Sequence, residues 1–194
     1  DYAYWNASGA TRANGVLPEG NVAVGQGFFV DVLTLPTLVD YKLSQCSNIA
    51  EEFYLKKINS DPIERLWLNL SDANGVTNEM LLAFTDLATV GEDRLYDGRK
   101  IIVSGNIGIY SFIDDDIFSI QALPKLNQTK RIPIGVVTNK QSDYIIKLRD
   151  TENLPQGTPV FLEDAENNTY HDLNSGDYEV SLSQDTFNNR FFLH

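Results

Sequence analysis

Cys46 is the only thiol in this 194-residue chain, which excludes an intramolecular disulfide. Its neighbours Gln45 and Ser47 bring neither base nor positive charge, so a small buried apolar side chain is the expected role. A chain of this length buries a core without staples, so the shortage of cysteine says little about compartment. Histidine is nearly as scarce. With only His171 and His194, a zinc site of the usual His and Cys donors lacks ligands. There is no His-Glu-x-x-His and no Gly-x-Ser-x-Gly elbow, so neither a zinc protease nor a serine hydrolase is indicated. His171, in Tyr170-His171-Asp172-Leu173, is expected to be a hydrogen-bonding residue at a strand edge. Basic residues are outnumbered 15 to 27 by acids, for a net charge of -12. That argues against nucleic acid or an anionic membrane as a partner through bulk charge. No apolar run approaches the roughly 18 to 20 residues of a membrane span, so no insertion is expected. No methionine or signal peptide opens the chain at Asp1-Tyr2-Ala3-Tyr4-Trp5, which reads as a fragment or processed product.

What is present is alternation. Leu66, Leu68 and Leu70 alternate with Arg65, Trp67 and Asn69, and Met80, Leu82 and Phe84 share a face. Ile107 with Ile109, Ile132 through Val136, Tyr144 through Leu148, Val160 with Leu162, Tyr178 through Leu182, and Phe191 with Leu193 repeat the pattern. Period two puts one face of a strand on a core and the other toward water. Turn signals separate the runs. Asn74-Gly75 closes a hairpin, and Asn14-Gly15, Asp97-Gly98, Pro155-Gln156-Gly157, Glu166-Asn167-Asn168 and Ser175-Gly176-Asp177 mark others. The expected fold is all-β, an antiparallel β-sandwich of jelly-roll-like form. Leu43 to Ile58 could hold one helical turn, ending at Asp61-Pro62, and Pro36 weakens the join before it. The expected division is 1–45, the end of a truncated N-terminal β unit packed on the main domain, and 46–194, the sandwich.

Few residues carry chemistry. Gly25-Gln26-Gly27 precedes Phe28-Phe29-Val30, read as a strand, and lacks the third glycine and helix of a phosphate cradle. Acids are the polar feature that stands out. Asp86, Glu92, Asp93 and Asp97 form a candidate calcium loop, with Asp114-Asp115-Asp116 as a weaker second. Calcium takes six to eight oxygens in flexible geometry, although the spacing here does not match an EF-hand. The competing expectation is a solvated acidic turn. Paired carboxylates could also serve a glycosidase, but 27 acids place some pair at any separation. Tyr2, Tyr4 and Trp5 are candidates for a sugar platform, with Trp67 and Tyr110 behind them. Trp67 is expected in the core. Asn6, Asn69, Asn127 and Asn167 head glycosylation sequons, which matter only in a eukaryotic secretory setting.

The order of these motifs resembles a known group. Tyr4-Trp5-Asn6 and Val24-Gly25-Gln26-Gly27-Phe28-Phe29-Val30 come first, then Glu64-Arg65-Leu66-Trp67-Leu68-Asn69-Leu70-Ser71-Asp72-Ala73-Asn74-Gly75. Leu95-Tyr96-Asp97-Gly98-Arg99-Lys100, Ile109-Tyr110-Ser111-Phe112, Phe118 to Pro124 and Ile132-Pro133-Ile134-Gly135 follow. His171-Asp172-Leu173, Gly176-Asp177-Tyr178 and Thr186 to Phe191 complete the series. The chain resembles the β-sandwich region that precedes the C-terminal sorting domain in type IX secretion system cargo of the Bacteroidetes. The family's upstream Gly-Asn-Pro-Tyr-like segment and the sorting domain itself are not in this sequence. The resemblance implies a secreted or cell-surface, adhesin-like or filament-like protein. It carries over no catalytic residues; no cofactor is expected, apart from calcium if the acidic loop binds it. Its matched residues look structural: Trp67 in the core, Tyr96-Asp97-Gly98 shaping a loop, Phe187 and Arg190 anchoring the last strand, Arg190 beside a carboxylate. The partners implied are other domains of the same polypeptide and the secretion machinery through the missing domain; a surface glycan is the partner expected of the binding-module alternative. The expected function is a non-enzymatic stalk; the alternative is a calcium-dependent carbohydrate- or partner-binding module.

Overall fold

The computed structural model describes residues 2–12, 18, 28–30, 40, 42, 63–125 and 131–194. The expectations for Asn14-Gly15, Gly25-Gln26-Gly27, Pro36, Cys46, Asn127, the turn in 43–58 and the 45/46 boundary lie outside these residues. Among the described residues all regular structure is β and there is no helix. The strands are β1 (Tyr4–Asn6), β2 (Gly9–Thr11), β3 (Glu64–Asp72), β4 (Thr77–Phe84), β5 (Gly98–Arg99), β6 (Gly108–Ile113) and β7 (Asp116–Leu123). After them come β8 (Ile132–Val137), β9 (Ser142–Glu152), β10 (Phe161–Asp164), β11 (Thr169–Asp172), β12 (Tyr178–Leu182) and β13 (Thr186–Leu193). Phe28–Val30, read as a strand, is not one. Phe29 is 77% exposed with its ring edge-on to Tyr2.

One sheet of 11 strands runs β11-β10-β13-β8-β6-β7-β4-β3-β9-β12, with β5 added alongside β7. It curls because β6 serves two neighbours. Its first half, Gly108–Tyr110, pairs with β8, and its second half, Ser111–Ile113, pairs with β7. The two halves therefore face each other across one core. Leu66, Leu68, Met80, Leu82, Phe84, Ile109, Ile134, Val136, Tyr144, Ile146, Leu162 and Phe191 meet there. These are the residues of the alternating runs, for the reason the alternation gives: each burial removes apolar surface from water, at about 25 cal/mol per Å².

The sheet is mixed, which corrects the antiparallel expectation. β4 and β7 run parallel, Leu81 opposite Ile120 and Phe84 opposite Leu123. Parallel neighbours need a long connection, and the segment carrying β5 and β6 supplies it. At the β3–β4 hairpin Gly75 takes φ +79°, and the Asp72 carboxylate accepts the N–H groups of Asn74 and Val76, each at 2.9 Å. On β8, a Cβ at Gly135 would lie 2.1 Å from the Tyr110 ring. Tyr110 lies flat across that strand and donates its hydroxyl to Asn188 Oδ1 at 2.8 Å.

β1 and β2 form a hairpin on the outer face of β4 and β7. It covers a second apolar cluster of Trp67, Leu81 and Ile120, with Tyr4 against it. Trp67 is buried, as expected, and its indole N–H donates to the Ala10 carbonyl at 2.8 Å. Arg65 Nε donates to the Ser8 carbonyl, and Arg12 N–H donates to Glu79 Oε1 at 3.0 Å.

Candidate functional site

The expected calcium loop lies between β4 and β5, and its four acids face different partners. Asp86 pairs with Lys125 at 3.1 Å. Glu92 takes both of its oxygens to Arg99, each at 2.8 Å, and the guanidinium holds its pKa below the ordinary value. Asp93 Oδ2 accepts the Thr89 N–H at 2.5 Å. Asp97 accepts the Ala122 N–H at 2.7 Å and the Asp93 N–H at 2.5 Å. Among the described residues no three His, Cys, Asp or Glu side chains gather as a metal site would require. The second acidic loop is a tight hairpin. Ile113 pairs with Asp116, Asp114 takes φ +52°, and Asp116 binds Arg99 at 2.7 Å.

Asp97 is in effect part of the sheet. β5 ends its pairing with β7 at Ile120, and the Asp97 carboxylate takes up the next inward N–H, that of Ala122. Burial pushes its pKa up to about 6, since two N–H groups solvate the charge but no cation neutralises it. Lys100, just after β5, turns inward and is 9% exposed. Its Nζ donates to Asn78 Oδ1 at 2.8 Å and to Ser119 Oγ at 3.2 Å. Burial alone drops its pKa to about 7.

The ends of the sheet meet at another buried acid. Asp164 of β10 is fully buried and receives Arg190 of β13 through Nε at 3.0 Å and Nη2 at 2.8 Å. The Tyr178 hydroxyl of β12 donates to it at 2.8 Å, as does the Asn167 side-chain amide. Burial works against the charge, but these donors outweigh it and the pKa falls below the ordinary value. Since β12 ends the sheet and β10 lies one strand from its start, this contact draws the sheet into a nearly closed, barrel-like shape. His171 of the edge strand β11 bridges the same seam, its Nε2 donating to the Gly176 carbonyl at 2.9 Å. Arg190 also reaches Glu166 at 2.6 Å, so the carboxylate beside it is there, and Phe187 packs against the core.

Of the proposed sugar-platform aromatics, Tyr2 and Trp5 are exposed and the others are not. Tyr4 is half-buried with its hydroxyl accepting the Ile101 N–H at 2.7 Å, while Trp5 is 41% exposed and Tyr110 is inside. His194 donates to Glu163 at 2.7 Å, and Arg131 binds the same carboxylate while stacking on Phe192. A depression between the loops after β9 and β11 is lined by Thr151, Leu154, Gln156, Thr158, Asp172 and Asn174, among others. Its one acid, Asp172, already accepts from Ser175 and Asn174.

Sequence reasoning singled out Asp97 for calcium and missed Asn78, Lys100 and Asp164. Asn78 and Lys100 break the polar-means-exposed rule. Asp164 had a usable signal, the Asp-Ala-Glu-Asn-Asn turn beside the Arg190 already suspected of a carboxylate partner.

These observations define an all-β domain built on one curled mixed sheet, whose buried Asp97, Lys100, Asp164 and Arg190 are bound to other polar side chains or to the backbone. The chain belongs to the family described as a domain of unknown function, DUF8693, whose model matches residues 1–194. No curated protein and no solved structure matches it.

Proposed function

We propose that this domain is a non-enzymatic structural module of a secreted or cell-surface bacterial protein, adhesin-like or filament-like, a folded spacer that leads into a secretion sorting domain. The observation that carries the reading is the use of the buried polar groups. Asp164, Arg190 and Tyr178 close the sheet, Asp97 ties β5 to β7, and both acids are buried. An enzyme using paired acids would set two carboxylates facing each other in a cavity, and the depression near Asp172 is lined by one. The secretion reading rests on the motif series from Tyr4-Trp5-Asn6 to Phe191. In this reading the curled halves are a jelly-roll-like sandwich. Residues 1–45 close a preceding β unit, of which the β1–β2 hairpin is the part docked over Trp67. The partners are neighbouring domains of the same polypeptide and the secretion machinery.

Protease shaving of intact producing cells, with peptide mapping by mass spectrometry, tests this. Peptides of this domain released from the surface, in one polypeptide with a small β-rich C-terminal domain, are the expected result. Recovery only from the cytosolic fraction overturns it.

A calcium-dependent binding module, for glycan or a partner, is the second reading, favoured by the four acids between β4 and β5. Their present bonds leave calcium to compete with Arg99, Lys125 and three backbone N–H groups. The expectation is equal melting temperatures in calcium and in chelator. A rise with calcium that disappears in Asp93→Ala would replace the stalk reading with this one.

A further inference from the structure

We propose that Lys100 and Asn78 join in an intramolecular amide bond, Lys100 Nζ replacing Nδ2 on the Asn78 side-chain carbonyl carbon with release of ammonia. The two residues come from separate segments, β4 and the stretch between β5 and β6, and meet inside the sheet at 6% and 9% exposure. Nζ lies 2.8 Å from Oδ1. Because a C=O bond is about 1.2 Å, Nζ is within about 4 Å of Cγ. Reaction needs Nζ to close that distance to the roughly 3–3.5 Å of a near-attack geometry.

The surroundings suit the step. A lysine attacks only as the free amine, and burial with no opposing carboxylate brings Lys100 to a pKa of about 7. The backbone N–H of Ile109 already donates to Asn78 Oδ1 at 2.9 Å. It stays on that oxygen as negative charge gathers there, which is the service of an oxyanion donor. The Ser119 hydroxyl, 3.2 Å from Nζ, is within reach of the proton that the amine gives up. The Nζ lone pair forms the new bond to Cγ and the C=O electrons move to Oδ1. Nζ gives up one proton by way of Ser119, Nδ2 takes it, the Cγ–Nδ2 bond breaks, and the carbonyl re-forms. The products are a secondary amide and one ammonia, so no oxidant or co-reactant is required. The Tyr4 ring, 6.0 Å from Nζ, helps to cover the site on its outer side. The bond encloses residues 78–100 in a covalent ring that contains the whole acidic loop. A spacer under tension would gain from it, yet the chemistry does not depend on that role.

Intact-mass measurement on the purified wild-type protein, before and after prolonged incubation at pH 8, tests the bond. The expected mass is lower than the sequence mass by one ammonia. A tryptic digest should contain a branched peptide holding Asn78 and Lys100, uncut after Lys100. Lys100→Arg should restore the full mass. Asn74-Gly75 can also shed ammonia by succinimide formation, but hydroxylamine opens that ring, and its peptide is not branched. The full sequence mass after incubation overturns the proposal, as does an ammonia loss that maps to Asn74. Both readings come from the wild-type protein, so they stand even if the variant fails to fold.

Discussion

Asp97 and Asp164 are two buried carboxylates in one sheet, and they titrate in opposite directions. Each accepts two backbone N–H groups, Asp97 from Asp93 and Ala122, Asp164 from Glu166 and Asn167. Burial raises the pKa of both. At Asp164 a bidentate guanidinium and a tyrosine hydroxyl reverse the sign; at Asp97 the nearby charges are Asp93 and Glu92, which add to the rise. Backbone donors place a carboxylate, then, but a counter-charge decides whether it stays ionised.

Removing the counter-charge should have the largest effect. Arg190→Met leaves Asp164 buried and unpaired and should cost about 3–5 kcal/mol in urea denaturation at pH 7. Adding Asp164→Asn to that variant should recover much of the loss. A cost under about 1 kcal/mol for the single change would mean that Tyr178 and Asn167 hold the charge without arginine.

The titrations come next. Asp97 is raised from 3.8 to about 6, so between those values the folded state binds more protons than the unfolded chain. Its contribution is fully present below pH 3.8 and fades as the pH rises through about 6. Asp164, lowered, contributes above the ordinary carboxylate value and loses this on acidification. Denaturation midpoints of Asp97→Asn and wild type across pH 4 to 7 isolate the first. The wild-type stability minus that of the variant should decline over the window, and a flat difference would show that Asp97 titrates normally.

The smallest effect belongs to the exposed acids. Arg99 binds Glu92 and Asp116 from a half-exposed position. Arg99→Ala should cost under about 1 kcal/mol and less at high salt, because water already screens such pairs. A larger loss, insensitive to salt, would place this cluster with Asp164 and not with the surface.

Strands whose two faces differ could be read from the sequence. Glu64–Asp72, Ile132–Val137 and Tyr178–Leu182 alternate because one face meets the core, and Asn74-Gly75 announces its turn. What depends on distant partners was hidden. β7 carries Phe118 and Ile120 on one face and Ser119 and Gln121 on the other, all four buried, so its alternation does not point to the core. The parallel pairing of β4 with β7 depends on a neighbour about forty residues away in the chain, a range that periodicity does not reach. β1, β2 and β5 are two or three residues long, too short for a period to show. The acids of the expected calcium loop were visible, but not that the loop's own N–H groups and nearby Arg99 occupy them, nor that Lys125 and the Ala122 N–H reach them from β7 and beyond. Lys100 reads as a surface lysine because nothing local marks a chain that turns inward.

The pairing scheme also bears on time. β3 hydrogen-bonds to β9, β8 to β13 and β6, and β4 to β7, so most ladders join segments far apart in the chain. Such non-local order puts folding in the range of about milliseconds to seconds. During synthesis, the central strand β3 has no β9 to bind until the ribosome has passed residue 152, and β8 lacks its β13 neighbour until residue 193 has emerged. A domain with this wiring completes its sheet only when its last strand, β13, arrives.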